Sequence, residues 1–442
     1  MTVATGRLVW GDADDAASAP VYSSSSEITV GGVNSQGNAA FELNNGSVTE
    51  GNVFYLGYYG ASLTPRATLS FIFNGGTFQA KNLVCAYNLT SQQNVNTEVV
   101  VNGGRGYVTG DVILGRSPAK TPVEQTCRWT QNGGVFGVKG NFHTCYWITN
   151  QTSKGLIDLN GGTLAVTGTV TFARAGKNTQ DNAVDFRLNG GRLEVNAITQ
   201  SVDAANTCFY GNGGILAPIG ITAAGGCFGA VGKLYASTNG LVVDTSILAG
   251  KDKDYTISHP ILHDPDAPAI DGGVTKQGAG RLTLSGANTF TGPLTVAGGT
   301  LRLLGPATVV PTLAFTGGTL DAVAPVEAGT LTGMGICQGA LTVTGMLVPD
   351  VDAVVNVTGD FTLASTAKVD LAQYPAASLD YGDVVPLVAV LGTAQVPTTV
   401  PVTEASVGAH VSGQKFRLKI SVGDDHVVYG TLASSGTMIL LR

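Results

Sequence analysis

Apolar and polar residues alternate in short runs along much of the chain, and the runs end at Asn-Gly corners rather than at helix caps. Typical stretches are "ATLSFIFNGG" at 67–76, "LIDLNGGTLAV" at 156–166 and "VDFRLNGGRLEV" at 184–195. A period of two predicts half-buried strands. No long run shows a 3.6-residue period with proper caps, so the expected class is all-β.

The corner itself repeats. Taking its Asn as a ruler gives Asn44, Asn74, Asn102, Asn132, Asn160, Asn189 and Asn212, with steps of 30, 28, 30, 28, 29 and 23 residues. Two residues after each Asn stands Gly46, Gly76, Gly104, Gly134, Gly162, Gly191 or Gly214. Three residues before it runs an apolar column: Phe41, Phe71, Val99, Trp129, Ile157, Phe186 and Phe209. Strand pattern inside a unit of this length predicts a β-solenoid with coils of about 29 residues, each holding about three short strands. Stacked at the ~4.8 Å spacing of paired strands, the Asn amides are expected to form a structural ladder. Gly at the second position after Asn suits a positive φ or a close backbone approach. The competing reading is a set of independent Asn-Gly hairpins, which gives no reason for a fixed spacing.

Composition narrows the partners. The chain has 442 residues, 61 of them Gly, with 24 Lys+Arg against 31 Asp+Glu and a formal net charge of −7. No basic block occurs, which argues against nucleic acid or an anionic membrane as partner. The longest apolar candidate, "VVPLVAVLG" at 384–392, is too short to span a bilayer, so no membrane insertion of this chain is expected. The opening "MTVATGRLVWGDADD" lacks a charged n-region and an apolar h-region, so no export signal is expected in it.

Residues 276–303 read "KQGAGRLTLSGANTFTGPLTVAGGTLRL". The string resembles the autotransporter-associated β-strand repeat, also called the passenger-associated transport repeat. Its pattern falls here on Lys276, Gly278, Gly280, Leu282, Leu284, Gly286, Asn288, Thr289, Phe290, Thr291, Gly292, Gly299, Thr300, Leu301 and Leu303. A weaker echo, "FTGGTLDA", starts at Phe315. The resemblance implies a right-handed parallel β-helix in a secreted or surface protein, with the motif tied to export and folding rather than catalysis. No membrane β-barrel is expected within residues 350–442, which are too few and lack alternating strands of ~10 residues with aromatic girdles.

The expected organisation is an N-terminal cap (1–38), regular coils (39–248), a polar insertion (249–273), further solenoid with the family repeat (274–345) and a β-rich C-terminal cap (346–442).

Parallel β-helices include polysaccharide lyases and glycosidases, whose chemistry needs grouped carboxylates in a groove. The regular coils are poor in them. Asp158 and Arg187 share one position on adjacent units and read as a surface ion pair rather than as catalytic groups. The insertion gathers Asp252, Asp254, His259, His263, Asp264, Asp266 and Asp271, but without a calcium-loop or zinc-ligand pattern it reads as a solvated loop. Nucleophile elbow and P-loop are absent, and neither a metal nor a cofactor is expected.

Eleven to fifteen residues past the ruler Asn lie Tyr55, Tyr58 and Tyr59, then Tyr87, then His143, Tyr146 and Trp147. Such rings along one edge suit stacking on surface glycans; the alternative is packing under a corner loop. Cys127 and Cys145, and likewise Cys208 and Cys227, flank a ruler Asn at similar distances. That placement suggests two disulfides, or equally four buried thiols, with Cys85 and Cys337 unpaired. The functional expectation is a non-catalytic extracellular or cell-surface scaffold of the adhesin type, with glycans or copies of itself as partners. A carbohydrate-active enzyme and a self-assembling surface-layer or filament subunit are the alternatives.

Overall fold

The computed structural model describes residues 1–3, 6–11, 20–31, 37–58, 67–87, 96–117, 124–148, 152–172, 183–200, 206–220, 228, 232–247, 254–374, 379, 382–403 and 416–434. Among the described residues every helix or strand is a strand, and the strands form parallel sheets of many members, consistent with a β-solenoid. The chain divides into two units: Met1–Leu248 with Tyr255–Asp271, and Ala249–Asp254 with Gly272–Arg442.

In the first unit the regular repeats contribute strands to three parallel ladders. One ladder runs through Gly6–Trp10, Ala39–Leu43, Thr68–Phe73, Asn96–Val101, Glu124–Gln131, Thr152–Leu159, Ala183–Leu188, Thr207–Gly211, Lys233–Ala236 and Ile261–His263. A second begins at the Asn corner and includes Ser47–Glu50, Thr77–Ala80, Arg105–Val108 and Val135–Val138. The third includes Ile28–Val30, Val53–Leu56, Asn82–Cys85, Val112–Ser117 and Phe142–Ile148. The strand Thr163–Phe172 runs through both of the latter ladders.

Register puts like residues over like. Phe41 pairs with Phe71, Phe71 with Val99, Val99 with Trp129, Trp129 with Ile157, Ile157 with Phe186 and Phe186 with Phe209. All seven are fully buried. Each buried side chain contributes about 1.5–3 kcal/mol, an upper bound because the unfolded chain is itself partly collapsed. Aromatic neighbours add contact geometry: Phe186 and Phe209 stack at 5.1 Å and 15°. Size also alternates along the axis. Gly106 lies between Phe78 and Phe136 in the second ladder, and the two rings meet at 6.3 Å across it. A Cβ on Gly106 would stand 2.3 Å from the Phe136 ring, so the glycine there makes room.

The second unit continues with parallel strands, among them Val274–Gln277, Arg281–Leu284, Leu294–Val296 and Thr300–Leu303. Three long parallel strands follow, Thr308–Ala322, Val326–Gln338 and Leu341–Val348. The pairing then changes sense. Val384–Val390 is antiparallel to Val427–Ser434, which is antiparallel to Phe416–Val422.

Candidate functional site

The ruler Asn residues form a directed chain of amides. Asn74 Nδ2 donates to Asn44 Oδ1 at 2.8 Å, Asn102 to Asn74 at 2.7 Å, Asn132 to Asn102 at 2.8 Å and Asn160 to Asn132 at 2.9 Å. Asn189 donates to Asn160 at 2.9 Å and Asn212 to Asn189 at 3.2 Å. Asn239, missed in the sequence, adds a further step at 3.1 Å. All these bonds point the same way, so each polarises the next. Beside the first member, Glu42 Oε1 also accepts from Asn74 Nδ2 at 3.2 Å, and Glu42 is paired to Arg7.

A second corner carries another ladder that the sequence did not disclose. Asn82 Oδ1 accepts from the Asp111 N–H at 2.8 Å, Asp111 Oδ1 from the Asn141 N–H at 2.7 Å, and Asn141 Oδ1 from the Thr169 N–H at 2.9 Å. Here side chain bonds backbone rather than side chain, so Asn and Asp replace one another as acceptors, and Thr169 ends the run with its backbone N–H alone. No single residue type marks the column.

Of the tyrosine strip, Tyr55, Tyr58 and Tyr87 lie among the described residues. Tyr55 lies in the Val53–Leu56 strand on the face opposite Phe54, yet it is only 9% exposed. Tyr55, Val84 and Ile113 form one apolar cluster, with Val53, Tyr58 and Tyr87 packed on it. The Tyr58 and Tyr87 rings stack at 5.6 Å and 13°, and Tyr55 meets Tyr58 at 4.5 Å. Tyr58 and Tyr87 therefore turn a face to each other, and Tyr55 meets both at a tilt. Tyr59 lies outside the described residues, as do the side chains of Tyr146 and Trp147; the backbone of Trp147 pairs with Arg116. Tyr55→Ala is expected to lower stability by about 3–4 kcal/mol, as for a large ring removed from a packed cluster. Thermal melting checks this; an unshifted midpoint would restore Tyr55 as a surface ring.

Asp158 sits in a wider charge group than a single pair. Arg128 Nη1 lies 2.8 Å from its carboxylate and Arg187 Nη1 3.9 Å, while Arg187 Nη2 reaches Asp185 at 3.0 Å. Burial pushes the Asp185 carboxyl up, opposed by Arg187. Arg187 also covers the Tyr210 ring, which stacks on Tyr235 at 5.2 Å. That Arg-Tyr-Tyr column follows the same register and was not singled out in the sequence.

Residues 255–271 are part of the first unit rather than a separate loop. Ile261 is fully buried on Leu234, in a strand that pairs with Lys233–Ala236. Its acidic groups bind within the protein: Asp264 accepts from Ser237 Oγ at 2.6 Å, and buried Asp271 contacts His263 Nδ1 at 2.9 Å. Asp254 belongs to the second unit and accepts from Thr283 Oγ1 at 2.7 Å.

Cys127 is a buried free thiol, and burial pushes it up to about 12. Cys145 is buried too, in a left-handed conformation at φ 52°, and its thiol is also raised by burial. Such thiols are poor nucleophiles at neutral pH. Cys208 is half-buried, and Cys227 lies outside the described residues. Cys85 and Cys337 are free and buried.

In the second unit the motif Lys276 is completely buried. Its ammonium donates to the carbonyls of Gln277 at 3.0 Å, Gly278 at 2.7 Å and Gly298 at 2.9 Å. Three N–H donors meet three acceptors, which offsets the cost of burying the charge. The cage joins the Gly278 corner to the Gly298 corner one repeat further on. Around it Leu282, Leu284 and Leu301 are buried, and Phe290 is 8% exposed.

The glycine and leucine spacing around this cage matches a family model over residues 274–303. That segment is a passenger-associated-transport-repeat. No curated protein and no solved structure matches the chain. The repeat implies export to the surface or the outside of the cell, and among the described residues no helix is long and apolar enough to cross a membrane.

Proposed function

We propose that this chain is a non-catalytic surface scaffold of the adhesin type, a right-handed parallel β-helix with coils of about 29 residues. The observation that carries the reading is the passenger-associated-transport-repeat at 274–303, set among stacked parallel strands in the second unit. Rigidity is the contribution of the fold. Strands paired on both sides, amide ladders and buried aromatic columns hold outward residues at fixed spacing, which favours attachment to extended, repeating surfaces. The charged groups on the sheet faces support the same reading, because Asp158 and Asp185 are held by Arg128 and Arg187 in paired geometry.

Protein coupled to beads and exposed to a panel of polysaccharide-coated surfaces tests the proposal. Retention of beads without shortening of the polymer is expected. Release of oligosaccharides, measured by size-exclusion of the soluble products, would contradict the non-catalytic reading in favour of a carbohydrate-active enzyme.

A further inference from the structure

The second ladder of the first unit turns a flat face outward between two tight corners. In the strands Thr77–Ala80, Arg105–Val108 and Val135–Val138 the outward side chains are Thr77 and Gln79, Arg105 and Tyr107, and Val135. Gly137 takes the remaining outward position, in register with Tyr107. Directly after the strands come Lys81, Thr109 and Lys139, which follow the same register: the Thr109 N–H bonds the Ala80 carbonyl and the Lys139 N–H the Val108 carbonyl.

Tyr107 is 40% exposed, although it sits on a sheet. Its ring leans across the neighbouring glycine: a Cβ at Gly137 would come within 2.9 Å of the ring. Among the described residues no other ring packs on it, in contrast to Tyr58 with Tyr87 and Tyr210 with Tyr235. The charged side chains of the face itself are of one sign. Lys81, Arg105 and Lys139 are exposed, and none is paired with a carboxylate among the described residues. No Asp or Glu occurs among the outward residues of these three strands. The nearest acid along the chain, Asp111, accepts from the Asn141 N–H and lies 3.9 Å from His143. A cationic, aromatic face on a chain of net charge −7 stands out from its surroundings.

We propose that this face binds an acidic polysaccharide, a sugar ring packing on Tyr107 while carboxylates meet Lys81, Arg105 and Lys139. Charge complementarity selects the acidic polymer over a neutral one. The repeat of cations along the axis, with Lys81 and Lys139 two strands apart at ~9.6 Å, selects a polymer over a single sugar. The open ring distinguishes the face from a merely basic patch, because stacking needs an exposed aromatic surface. The inference rests on the reading of the chain as a surface scaffold and names its ligand class.

Titration calorimetry with polygalacturonate, and with neutral dextran as control, tests it on the full chain. Binding to polygalacturonate alone is expected, weakening as salt is raised because the Debye length shrinks from ~10 Å at 0.1 M to ~3 Å at 1 M. Tyr107→Ala and the double variant Lys81→Gln, Lys139→Gln should each lower affinity about tenfold, with melting unchanged. No binding, or equal binding by Tyr107→Ala, would overturn the site. Equal affinity for a single-stranded oligonucleotide would also overturn it, by showing an unselective polyanion patch. Bead attachment to other surfaces without polygalacturonate binding would overturn this site and leave the scaffold reading intact. Breakdown of the bound polymer, with the Tyr107 dependence preserved, would support the site and overturn the non-catalytic reading.

Discussion

Lys276→Met should cost the second unit about 3–5 kcal/mol, more than any other single side-chain change outside the aromatic columns. Methionine keeps the apolar stem but strips the carbonyls of Gln277, Gly278 and Gly298 of a shared donor. Each carbonyl left unsatisfied costs about 1–3 kcal/mol, and partial access to water lowers the sum. For a unit of this size the melting midpoint should fall roughly 10 °C. Lys276→Arg is expected to rescue little, because a planar guanidinium does not match three convergent carbonyls as an ammonium does. Calorimetry resolves the outcome, and an unchanged midpoint for both variants would show that the cage is dispensable. The lysine of the family motif then acts as a clamp between successive corners.

At the corners of the first unit the largest effect is expected from Gly162→Ala. Gly162 has φ +67°, and a Cβ there would lie 2.3 Å from the Gly134 carbonyl oxygen of the preceding repeat. The left-handed backbone alone costs an alanine about 1–2 kcal/mol. The clash is with main chain fixed on both sides, so a total of about 3 kcal/mol is expected. Asn132→Leu should be milder. It removes one bond to Asn102 and one from Asn160, but the site is exposed and water can take over. About 1 kcal/mol, the lower end for a lost hydrogen-bond partner, is expected. Chemical denaturation of both variants orders the effects; a leucine variant weaker than the alanine one would make the amides, rather than the backbone fit, the dominant stabiliser at the corner.

Much of the strand architecture was legible because one corner keeps one residue type. Asn and Gly recur at fixed offsets, and the column from Phe41 to Phe209 is the column that the register pairs. The second corner escaped notice for a physical reason: its acceptor is any short polar side chain, so Asn82, Asp111 and Asn141 look unrelated. The strand Ile261–His263 was hidden by its neighbours, since His, Asp and Pro around it signal a loop while Ile261 alone anchors it. Tyr55 illustrates a different limit. Parity along its strand points it outward, but the Tyr58 and Tyr87 rings fold over it, and such cover is invisible to a period of two. Tyr107 escaped selection for the opposite reason: its exposure depends on the missing side chain of Gly137 in the next strand. The cage of Lys276 could not be foreseen either, because its acceptors are backbone carbonyls brought together by the fold.

The central claim, that successive repeats lie directly over one another and so present a rigid surface, is open to a cross-linking measurement. Asn102 and Asn132 are joined side chain to side chain at 2.8 Å, and Val101 pairs with Gln131 beside them. Neighbouring paired positions lie ~4.8–5.5 Å apart, within disulfide range, whereas positions two repeats apart at ~9.6 Å are beyond it. The variant Asn102→Cys, Asn132→Cys should oxidise to an intramolecular disulfide found by peptide mapping, while Asn102→Cys, Asn160→Cys should stay reduced. Failure of the first pair to close, or equal closure of the second, would contradict the stacked register and the scaffold built on it.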